Sequence, residues 1–365
     1  MINMELIQKR NTPSSKVRSI VDLFVSSEGV GRRYLFGRNE HSAALANVFD
    51  IDGFVDDFVE KGTIWKDKPV VHRTDIPING IIVNCVMNSK PISAHRIIDE
   101  LQIAGSISYY DLQMQFPKVI PFPNFVIETQ LDFAQNKKKW EKIEETLYDS
   151  ESKDVLYRLL HYRLTGDYTF MNKFTYRPND QYFEDFLRLG TKEVFIDAGG
   201  YNGDTTELFC LKYPEYEKVF LFEPDSINIE NAKTRLKEYR SIEFLELGVS
   251  DTIDTLWFNP NNGSSSSIGE SGNCRINVTT IDQQITSKVT FIKMDLEGWE
   301  LKALMGAKKH IIEDQPKLAI AVYHHPSDFW HIFEYVLSLR QDYNIYLRHY
   351  TESWTETIMY FVPKI

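Results

Sequence analysis

The sequence predicts an α/β protein, and two observations carry that prediction. Along most of the 365-residue chain, short apolar runs alternate with amphipathic segments, which is the pattern of parallel strands joined by helices. Near the end of the chain, "NIYLRHY" and "ETIMYFVP" are strand-like runs separated by a short loop. Together they predict a small α/β unit, a helical connector, and a doubly wound sheet whose last strand is antiparallel.

The first unit covers residues 1–117. Apolar runs predict strands, and spaced apolar residues predict helices between them. The helix in "KPISAHRIIDELQIAG" is expected to end at Gly105. The predicted strands are "RYLFG", "IDGFVDD" and "NGIIVNCVM", and the other predicted helix is "RNEHSAALANVF".

A helical connector is predicted for residues 118–185. Three prolines within residues 115–125 break the strand–helix alternation and indicate a boundary. From about Asp132 to Thr165 the pattern is helical, and we expect these helices to pack on a neighbouring unit.

The last unit, residues 186–365, shows the alternation most clearly. Five apolar runs each end in polar residues, and ligands of doubly wound sheets bind at the carboxyl ends of the strands. The polar strand ends are therefore the place to look for a site. The runs are "EVFIDAGG", "KVFLFEPD", "IEFLELGVSD", "VTFIKMDLEG" and "KLAIAVYHH".

Composition narrows the function classes. The net charge of −11 argues against a nucleic-acid binder, which needs a basic face. The three cysteines are scattered and odd in number, which fits a reduced compartment better than a disulfide framework. No apolar run approaches the ~20 residues of a membrane span, and the N-terminus lacks the long apolar region of a secretory signal. We therefore expect a cytoplasmic protein.

A glycine-rich turn follows the first strand of the last unit, in "VFIDAGGYNGDTTELF". A strand, a tight turn and a helix N-terminus commonly bind nucleotide-like cofactors. The glycines at 199, 200 and 203 lack the G-x-G-x-x-G spacing of dinucleotide sites, and Asp197 would repel a pyrophosphate. S-adenosylmethionine carries a sulfonium and an ammonium and no phosphate, so Asp197 favours it. The alternative is a turn with an aspartate cap and no ligand.

The next two strand ends add candidate cofactor contacts. Glu223 lies 26 positions after Asp197 (223 minus 197), where an acid can accept hydrogen bonds from both ribose hydroxyls. Such an acid also suits NAD, so it supports a nucleoside rather than one cofactor. At the end of the third run, Ser250 or Asp251 could hydrogen-bond the adenine, and an ordinary turn pair is the alternative.

Acids and histidines end the fourth and fifth strands. Asp295 and Glu297 could position an acceptor hydroxyl, take its proton, or hold a divalent metal, although no bound metal is predicted. Alternatively, Glu297 only starts the following helix. Of the adjacent His324 and His325, at most one should face the site, because neighbours on a strand point to opposite sides. His324 is the leading candidate base, Asp295 the alternative base or acceptor clamp, and His349 is expected on the same rim.

These motifs, in this order, resemble those of the FkbM family of S-adenosylmethionine-dependent methyltransferases over residues 149–363. Many members read D-x-G-A-N-x-G in the first motif, where this chain has Tyr201 in place of the asparagine, so Tyr201 is expected to rest on the cofactor. The motifs are "FIDAGGYNGDTT", "FEPD", "VTTID", "FIKMDLEGWELKALMGAKKHI" and "LAIAVYHHPSDFW", with "SKDVLYRLLHYRLTGDY" before them and "YLRHYTESWTETIMY" after them.

The resemblance implies a Rossmann-like methyltransferase domain with a seven-stranded sheet, preceded here by a smaller Rossmann-like domain. It also implies methyl transfer, commonly to a hydroxyl oxygen of a sugar, glycan or related natural product. Asp197, Gly199, Gly203 and Glu223 are then the expected cofactor contacts, with Tyr201 and Asp251 beside them.

The first unit resembles the nucleotide-sugar-binding half of some bacterial sugar acetyltransferases, with Gly37 as its only turn glycine. It either binds a nucleotide sugar or the acceptor, or it has a structural or dimerising role, which a homodimer would use. The rival functions for the whole chain are an NAD-dependent oxidoreductase and a non-catalytic nucleotide-sugar-binding protein. The Gly/Ser-rich residues 259–273 are either a plain loop or a segment that closes over the acceptor.

Overall fold

The computed structural model of the chain describes residues 13–26, 32–88, 90–259, 267–269 and 274–364. They form three β-sheets with helices packed around them. The strands are β1 (Arg32–Phe36), β2 (Gly53–Val55), β3 (Ile64–Trp65), β4 (Lys68–Val71), β5 (Gly80–Asn84), β6 (Gly105–Ser108), β7 (Val194–Ala198), β8 (Lys218–Phe222), β9 (Ile242–Leu245), β10 (Gly248–Val249), β11 (Asp254–Asn259), β12 (Ser267–Gly269), β13 (Cys274–Thr279), β14 (Phe291–Met294), β15 (Lys317–Ala321), β16 (Tyr343–His349) and β17 (Thr357–Pro363).

Helices join most of these strands. One short 3₁₀ turn lies between β4 and β5, and three lie in the segment before β7. The helices are α1 (Ser15–Val25), α2 (Glu40–Ala46), α3 (Pro91–Asp99), α4 (Tyr109–Gln115), α5 (Asn124–Thr146), α6 (Ser150–Thr165), α7 (Asp204–Lys212), α8 (Ser226–Arg235), α9 (Ile281–Gln284), α10 (Glu300–Met305), α11 (Lys308–Glu313) and α12 (Asp328–Leu339). The 3₁₀ turns are Arg73–Asp75, Tyr168–Lys173, Pro178–Asp180 and Asp185–Leu187.

The first sheet has the strand order β3-β4-β2-β1-β5-β6, and its pairs are parallel except β3 with β4. The three predicted strands and the parallel pairing are confirmed. The predicted end of α3 is wrong, because the helix stops at Asp99 and Gly105 begins β6. A Cβ at Gly105 would lie 2.8 Å from Ile20 Cγ1, so this glycine lets α1 pack closely on β6.

The long helices α5 and α6 lie between the two large sheets in the sequence. Asp149 caps α6 by accepting a hydrogen bond from Ser152 N at 2.8 Å, and the helix ends at Gly166 in the left-handed conformation. Ser152 Oγ in turn accepts from Leu347 N at 2.9 Å, and Arg348 lies 2.7 Å from the Asp149 carboxylate. These contacts hold α6 against β16 of the last sheet.

The last sheet has seven strands in the order β16-β17-β15-β14-β7-β8-β9. Strand β17 is antiparallel to both β15 and β16, while the other neighbours are parallel. The expected doubly wound sheet with an antiparallel last strand is confirmed. The central strands β7, β14 and β15 are almost entirely buried, because helices cover both faces.

The third predicted run divides into two strands. Strand β9 ends at Leu245, and β10 leaves the large sheet to join a small sheet of order β10-β13-β11-β12. Leu247 N donates to Leu245 O at 2.8 Å, which turns the chain between them. The prediction that Ser250 and Asp251 lie at the end of a strand of the large sheet is therefore wrong. Most of residues 259–273, where closure over an acceptor was considered, lie outside the described residues.

One apolar cluster runs from α1 through α5 and α6 to β17, so both large sheets share buried contacts with the connector. Trp140 of α5 is an example, packing against Phe329 of α12 at 5.0 Å between ring centroids. Among the described residues, none of the helices has the length and apolar character that crossing a lipid bilayer requires.

Candidate active site

A cavity of about 680 Å³ opens at the carboxyl ends of β7, β8, β14 and β15. This volume falls within the ~300–1,000 Å³ of ordinary small-molecule sites. Six of the candidate site residues line the cavity: Gly199, Tyr201, Glu223, Asp295, Glu297 and His324.

The turn after β7 explains why glycine is needed at one position. Gly199 has φ +79°, and a Cβ there would lie 2.1 Å from the Asp295 carbonyl oxygen. Gly199 N and Gly200 N both donate to Phe222 O, at 3.0 and 2.9 Å, which ties the turn to the end of β8. The backbone of this turn thus forms one wall of the cavity.

Gly203 has a structural role at the start of α7, and its predicted cofactor contact stays a prediction. It caps α7 with φ +82°, and a Cβ there would lie 2.8 Å from Leu236 Cδ1 beyond α8. The residue is not part of the cavity lining. Its geometry explains the packing of the helix start.

Asp197 is fully buried at the end of β7 and is not part of the cavity lining. Its Oδ1 lies 3.0 Å from Lys293 Nζ, and its Oδ2 accepts from Thr206 Oγ1 at 2.7 Å. The lysine compensates the carboxylate, and Asp197 positions Lys293. The contact of Asp197 with a positively charged cofactor stays a prediction.

The sequence analysis did not identify Lys293 as a site residue, although its position within an apolar strand indicates that it needs a partner. A lysine in the middle of the apolar run "FIKM" must find a partner if the strand is buried. Its ammonium donates to Gly199 O at 2.7 Å and lines the cavity. Burial lowers its pKa, but the attraction of Asp197 outweighs this and raises the pKa overall.

Glu223 stands at the end of β8 with its carboxylate on the cavity wall. Oε2 accepts from Tyr201 N at 3.0 Å, and Oε1 accepts from Asp225 N at 2.9 Å. Burial raises the pKa of this carboxyl. Oε1 also accepts from Asn228 Nδ2 at 3.4 Å, whereas Oε2 retains capacity to accept a further hydrogen bond, as a contact to a ribose hydroxyl requires.

Asp251, the other predicted contact, is placed away from the cavity lining. It accepts from Ser250 Oγ at 3.0 Å and lies 3.3 Å from Lys302 Nζ. The wall in this region is formed by Gly248 and Val249 of β10 instead. The predicted contact of Asp251 with the adenine stays a prediction, although the chain leaves the large sheet before reaching this residue.

Asp295 lies just after β14, where its backbone adjoins the glycine turn. Its Oδ2 accepts from Tyr182 Oη at 2.6 Å, and Tyr323 Oη lies 3.3 Å from Oδ1. Burial, followed by repulsion from Asp295, raises the pKa of Tyr182 well above its usual value, so this hydroxyl stays a neutral donor. Tyr182 comes from the segment before β7, and no local sequence signal pointed to it.

His324 lies among three carboxylates. Nε2 is 3.4 Å from both Asp295 Oδ1 and Glu297 Oε2, and Nδ1 is 3.2 Å from Glu300 Oε1. Burial lowers the pKa of His324, but the carboxylates outweigh it and raise the pKa to about 10. An imidazolium has no lone pair to accept a proton, so this arrangement favours Asp295 over His324 as the base, and both roles stay predictions.

Two carboxyls near His324 have raised pKa values. Burial raises the pKa of Glu297 to about 7, with Asp295 and Glu300 adding repulsion and His324 opposing. Burial likewise raises the pKa of Glu356, from the loop between β16 and β17, to about 7. The acidic wall formed by these carboxyl groups around His324 therefore includes two groups whose pKa values lie near neutrality.

The other two predicted histidines are not in the cavity lining. His325 lies with His324 beyond the end of β15, where its backbone N donates to Asp328 Oδ2 at 2.7 Å. His349 is buried, shares a hydrogen bond of 2.9 Å with Thr357 Oγ1 and packs on Phe174. Burial lowers the pKa of His349 to about 3, so it is a neutral packing residue and not a rim residue.

The first unit also reaches this cavity. Asn88 lines it, and Trp354 Nε1 donates to Asn88 Oδ1 at 3.2 Å. Beside them, Glu352 accepts from Ser93 N and Ser93 Oγ at 2.7 and 2.6 Å, joining the β16–β17 loop to the start of α3. Such contacts join distant parts of the chain, so sequence patterns could not predict them.

The comparisons with known proteins agree with this architecture. The family model of the methyltransferase FkbM domain matches residues 197–346. The crystal structure of methyltransferase FkbM from Methylobacillus flagellatus KT is 24% identical, with 95% of this chain and 93% of that chain covered and a TM-score of 0.72. None of the curated proteins matches the chain in a sequence comparison.

Two further structures match about half of the chain. An rRNA methylase from Streptococcus thermophilus is 19% identical, covering 50% of this chain and 93% of that chain with a TM-score of 0.34. A Streptococcus mutans protein in complex with SAH is 16% identical, covering 48% and 93% with a TM-score of 0.33.

The last unit has a Rossmann-like sheet, which is the fold of the methyltransferase structure that it matches. The family model is more specific: residues 197–346 match the methyltransferase FkbM domain, in agreement with the resemblance predicted from the motifs. The Methylobacillus structure shares the fold along nearly the whole chain, including the first sheet and the connector.

Proposed function

We propose that this chain transfers a methyl group from S-adenosylmethionine to a hydroxyl oxygen of a sugar, glycan or related natural product. The observation that carries the proposal is a single cavity with two different ends. One end has the glycine turn and Glu223, and the other has the acidic wall that begins at Asp295. A nucleoside and an acceptor can therefore lie in line, as displacement at a methyl group requires.

The residues at the first end fit the cofactor. Glu223 has spare acceptor capacity toward the cavity, and the missing Cβ of Gly199 allows the chain to turn beside the space. Tyr201, with φ +44° and its backbone N bonded to Glu223, supplies a ring at the same place. When bound, S-adenosylmethionine supplies a methyl group activated by a sulfonium, and the acidic groups of the cavity favour that positive charge.

At the second end, Asp295 is the group that we assign to the acceptor proton. Its carboxylate is held by the hydroxyls of Tyr182 and Tyr323, so it needs little reorganisation when the acceptor arrives. A sugar hydroxyl is a weak nucleophile at neutral pH, and a positioned base typically contributes about 10²–10⁴-fold. His324 then holds the neighbouring carboxylates in place.

The first unit is proposed to take part in acceptor binding. Asn88 lines the cavity beside Trp354. The contact of Glu352 with the start of α3 supports a fixed position of this unit over the cavity. The buried thiols of Cys85 and Cys210 support a reduced, cytoplasmic location.

A thermal-shift panel tests the proposed function. S-adenosylmethionine and its demethylated product should both raise the melting temperature, because a ligand that binds only the folded state stabilises it. NAD should have no effect. Stabilisation by NAD with no response to S-adenosylmethionine would support the oxidoreductase instead, and stabilisation by nucleotide sugars alone would support the non-catalytic binding protein.

A further inference from the structure

The acidic wall of the cavity, which contains Asp295, Glu297 and Glu356 around His324, also offers a candidate metal site. We propose that Asp295, Glu297 and His324 bind a divalent first-row transition metal ion, such as Mn²⁺, beside the acceptor position. Each residue offers one ligand atom, and these three atoms lie within 4.8 Å of one another. All three residues line the cavity, so the ion would be reachable by a substrate oxygen.

The buried imidazole of His324 points to a ligand. Its side chain is only 8% exposed, and within the described part of the chain neither ring nitrogen has a partner in hydrogen-bond geometry. Burying a polar group without a partner is costly, and most buried polar groups in proteins are satisfied. Nε2 faces Asp295 and Glu297 at 3.4 Å each, and an ion bound there would displace the imidazolium proton and satisfy all three groups.

Glu300 contacts Nδ1, the second ring nitrogen of His324. Its Oε1 accepts from Leu296 N at 2.6 Å and lies 3.2 Å from His324 Nδ1. Histidines that bind metals usually direct their second nitrogen to a carboxylate, which orients the ring. Glu300 is therefore a positioning residue, and it leaves Nε2 directed at the two ligand carboxylates.

The ligand set indicates the kind of ion. Two carboxylates and one imidazole suit Mn²⁺, Fe²⁺ or Zn²⁺ better than Mg²⁺ or Ca²⁺, which prefer oxygen ligands alone. Three protein ligands also leave coordination positions open on the cavity side, as in catalytic rather than structural sites.

The role of the ion, though not its binding, rests on the proposed function. An ion at this place would draw the acceptor hydroxyl toward Asp295 and make it more acidic. The O–H bond then breaks, with its proton passing to a carboxylate and on to solvent. The oxygen forms a bond to the methyl carbon, and the carbon–sulfur bond breaks to leave a neutral thioether.

Titration of Mn²⁺ into the chelator-treated full chain, followed by electron paramagnetic resonance, tests the inference. We expect one saturable site and hyperfine coupling to a histidine nitrogen. His324→Ala and Glu297→Gln should each weaken Mn²⁺ binding by at least about tenfold, and Glu300→Gln by about 10–100-fold. The nitrogen coupling should disappear in His324→Ala and persist in Glu297→Gln.

Asp251→Asn is the matched control, since it removes a carboxylate outside the cavity lining and should leave Mn²⁺ affinity unchanged. Glu297→Gln keeps the inference testable if His324→Ala does not fold, because Glu297 is only partly buried. Absence of saturable binding, absence of nitrogen coupling, or wild-type affinity in Glu297→Gln would each overturn the site.

Calorimetry with S-adenosylmethionine on the same protein separates the two proposals. If S-adenosylmethionine binds and Mn²⁺ does not, the ion site is wrong and the proposed function stands. If Mn²⁺ binds at these residues and S-adenosylmethionine does not bind, the ion site stands and the proposed function is wrong.

Discussion

The two large sheets of this molecule begin in the same way and end differently. In both, the first strand runs into a glycine with positive φ, Gly37 after β1 and Gly199 after β7. After β1, Asn39 closes the space: its side chain caps α2 by accepting from His41 N and Ser42 N. It also donates to a backbone carbonyl after β5 at 2.7 Å. After β7, the turn opens onto the cavity.

The difference lies in how polar groups at the strand ends are satisfied. In the first sheet, Asn84 at the end of β5 donates to Pro91 O and accepts from Val86 N, so the protein uses its own polar groups. In the last sheet, the nitrogens of His324 and one oxygen of Glu300 are buried without a partner in the described structure. A strand end that leaves buried polar groups unsatisfied is the better candidate for binding.

The largest expected effect on turnover comes from a substitution at Asp295, at the open strand ends of the last sheet. Asp295→Asn keeps the size of the side chain and removes its basicity, so turnover should fall by about 10²–10⁴-fold. The measurement is transfer of labelled methyl to a sugar acceptor, with affinity for S-adenosylmethionine as the internal control and expected to stay nearly intact. Wild-type turnover in this variant would remove Asp295 from the chemistry.

The two turn glycines give a matched pair of substitutions. A Cβ at Gly37 would lie 3.1 Å from a flexible Val86 methyl, whereas one at Gly199 would lie 2.1 Å from a backbone oxygen. Gly37→Ala should cost about 1–2 kcal/mol for its left-handed conformation. Gly199→Ala should cost about 1–3 kcal/mol more, because backbone must move. Chemical denaturation measures both, and equal losses would show that the turn after β7 is less tightly built than described.

The smallest effect is expected at the cap of the first sheet. Asn39→Ala removes the side-chain cap of α2 and should lower the free energy of unfolding by about 0.5–2 kcal/mol. Denaturant titration measures this loss. Affinity for S-adenosylmethionine should not change, because Asn39 is not part of the cavity lining. A large loss of affinity would mean that the first sheet contributes to cofactor binding, which the account assigns to the last sheet alone.

Sequence patterns predicted the last sheet well, because each buried strand is a continuous apolar run that ends at a turn. Glu223 and Asp295 were found for this reason, since the residue after such a strand must lie at the sheet edge. Lys293 could have been found by the same reasoning, as a charge inside an apolar strand. Their functional roles stay predictions until they are measured.

The errors arise where the answer depends on long-range pairing. Asp251 follows a run that divides between two sheets, and no local pattern shows where the chain changes sheet. His349 was placed on the rim, but its side chain faces Phe174 inside the core. Tyr182 and Asn88 reach the cavity from segments far away in the sequence, so only the folded chain brings them to it.

The central claim is that the open strand ends of the last sheet bind S-adenosylmethionine through Glu223. Isothermal titration calorimetry on the wild type, Glu223→Ala and Asp251→Asn tests it most directly, with melting curves to confirm that each variant is folded. We predict that the wild type binds S-adenosylmethionine. Glu223→Ala should weaken binding by about 1–3 kcal/mol, the cost of leaving buried hydrogen-bond partners unsatisfied, and Asp251→Asn should have no effect. Equal affinity in all three proteins, or binding of NAD without binding of S-adenosylmethionine, would contradict the account.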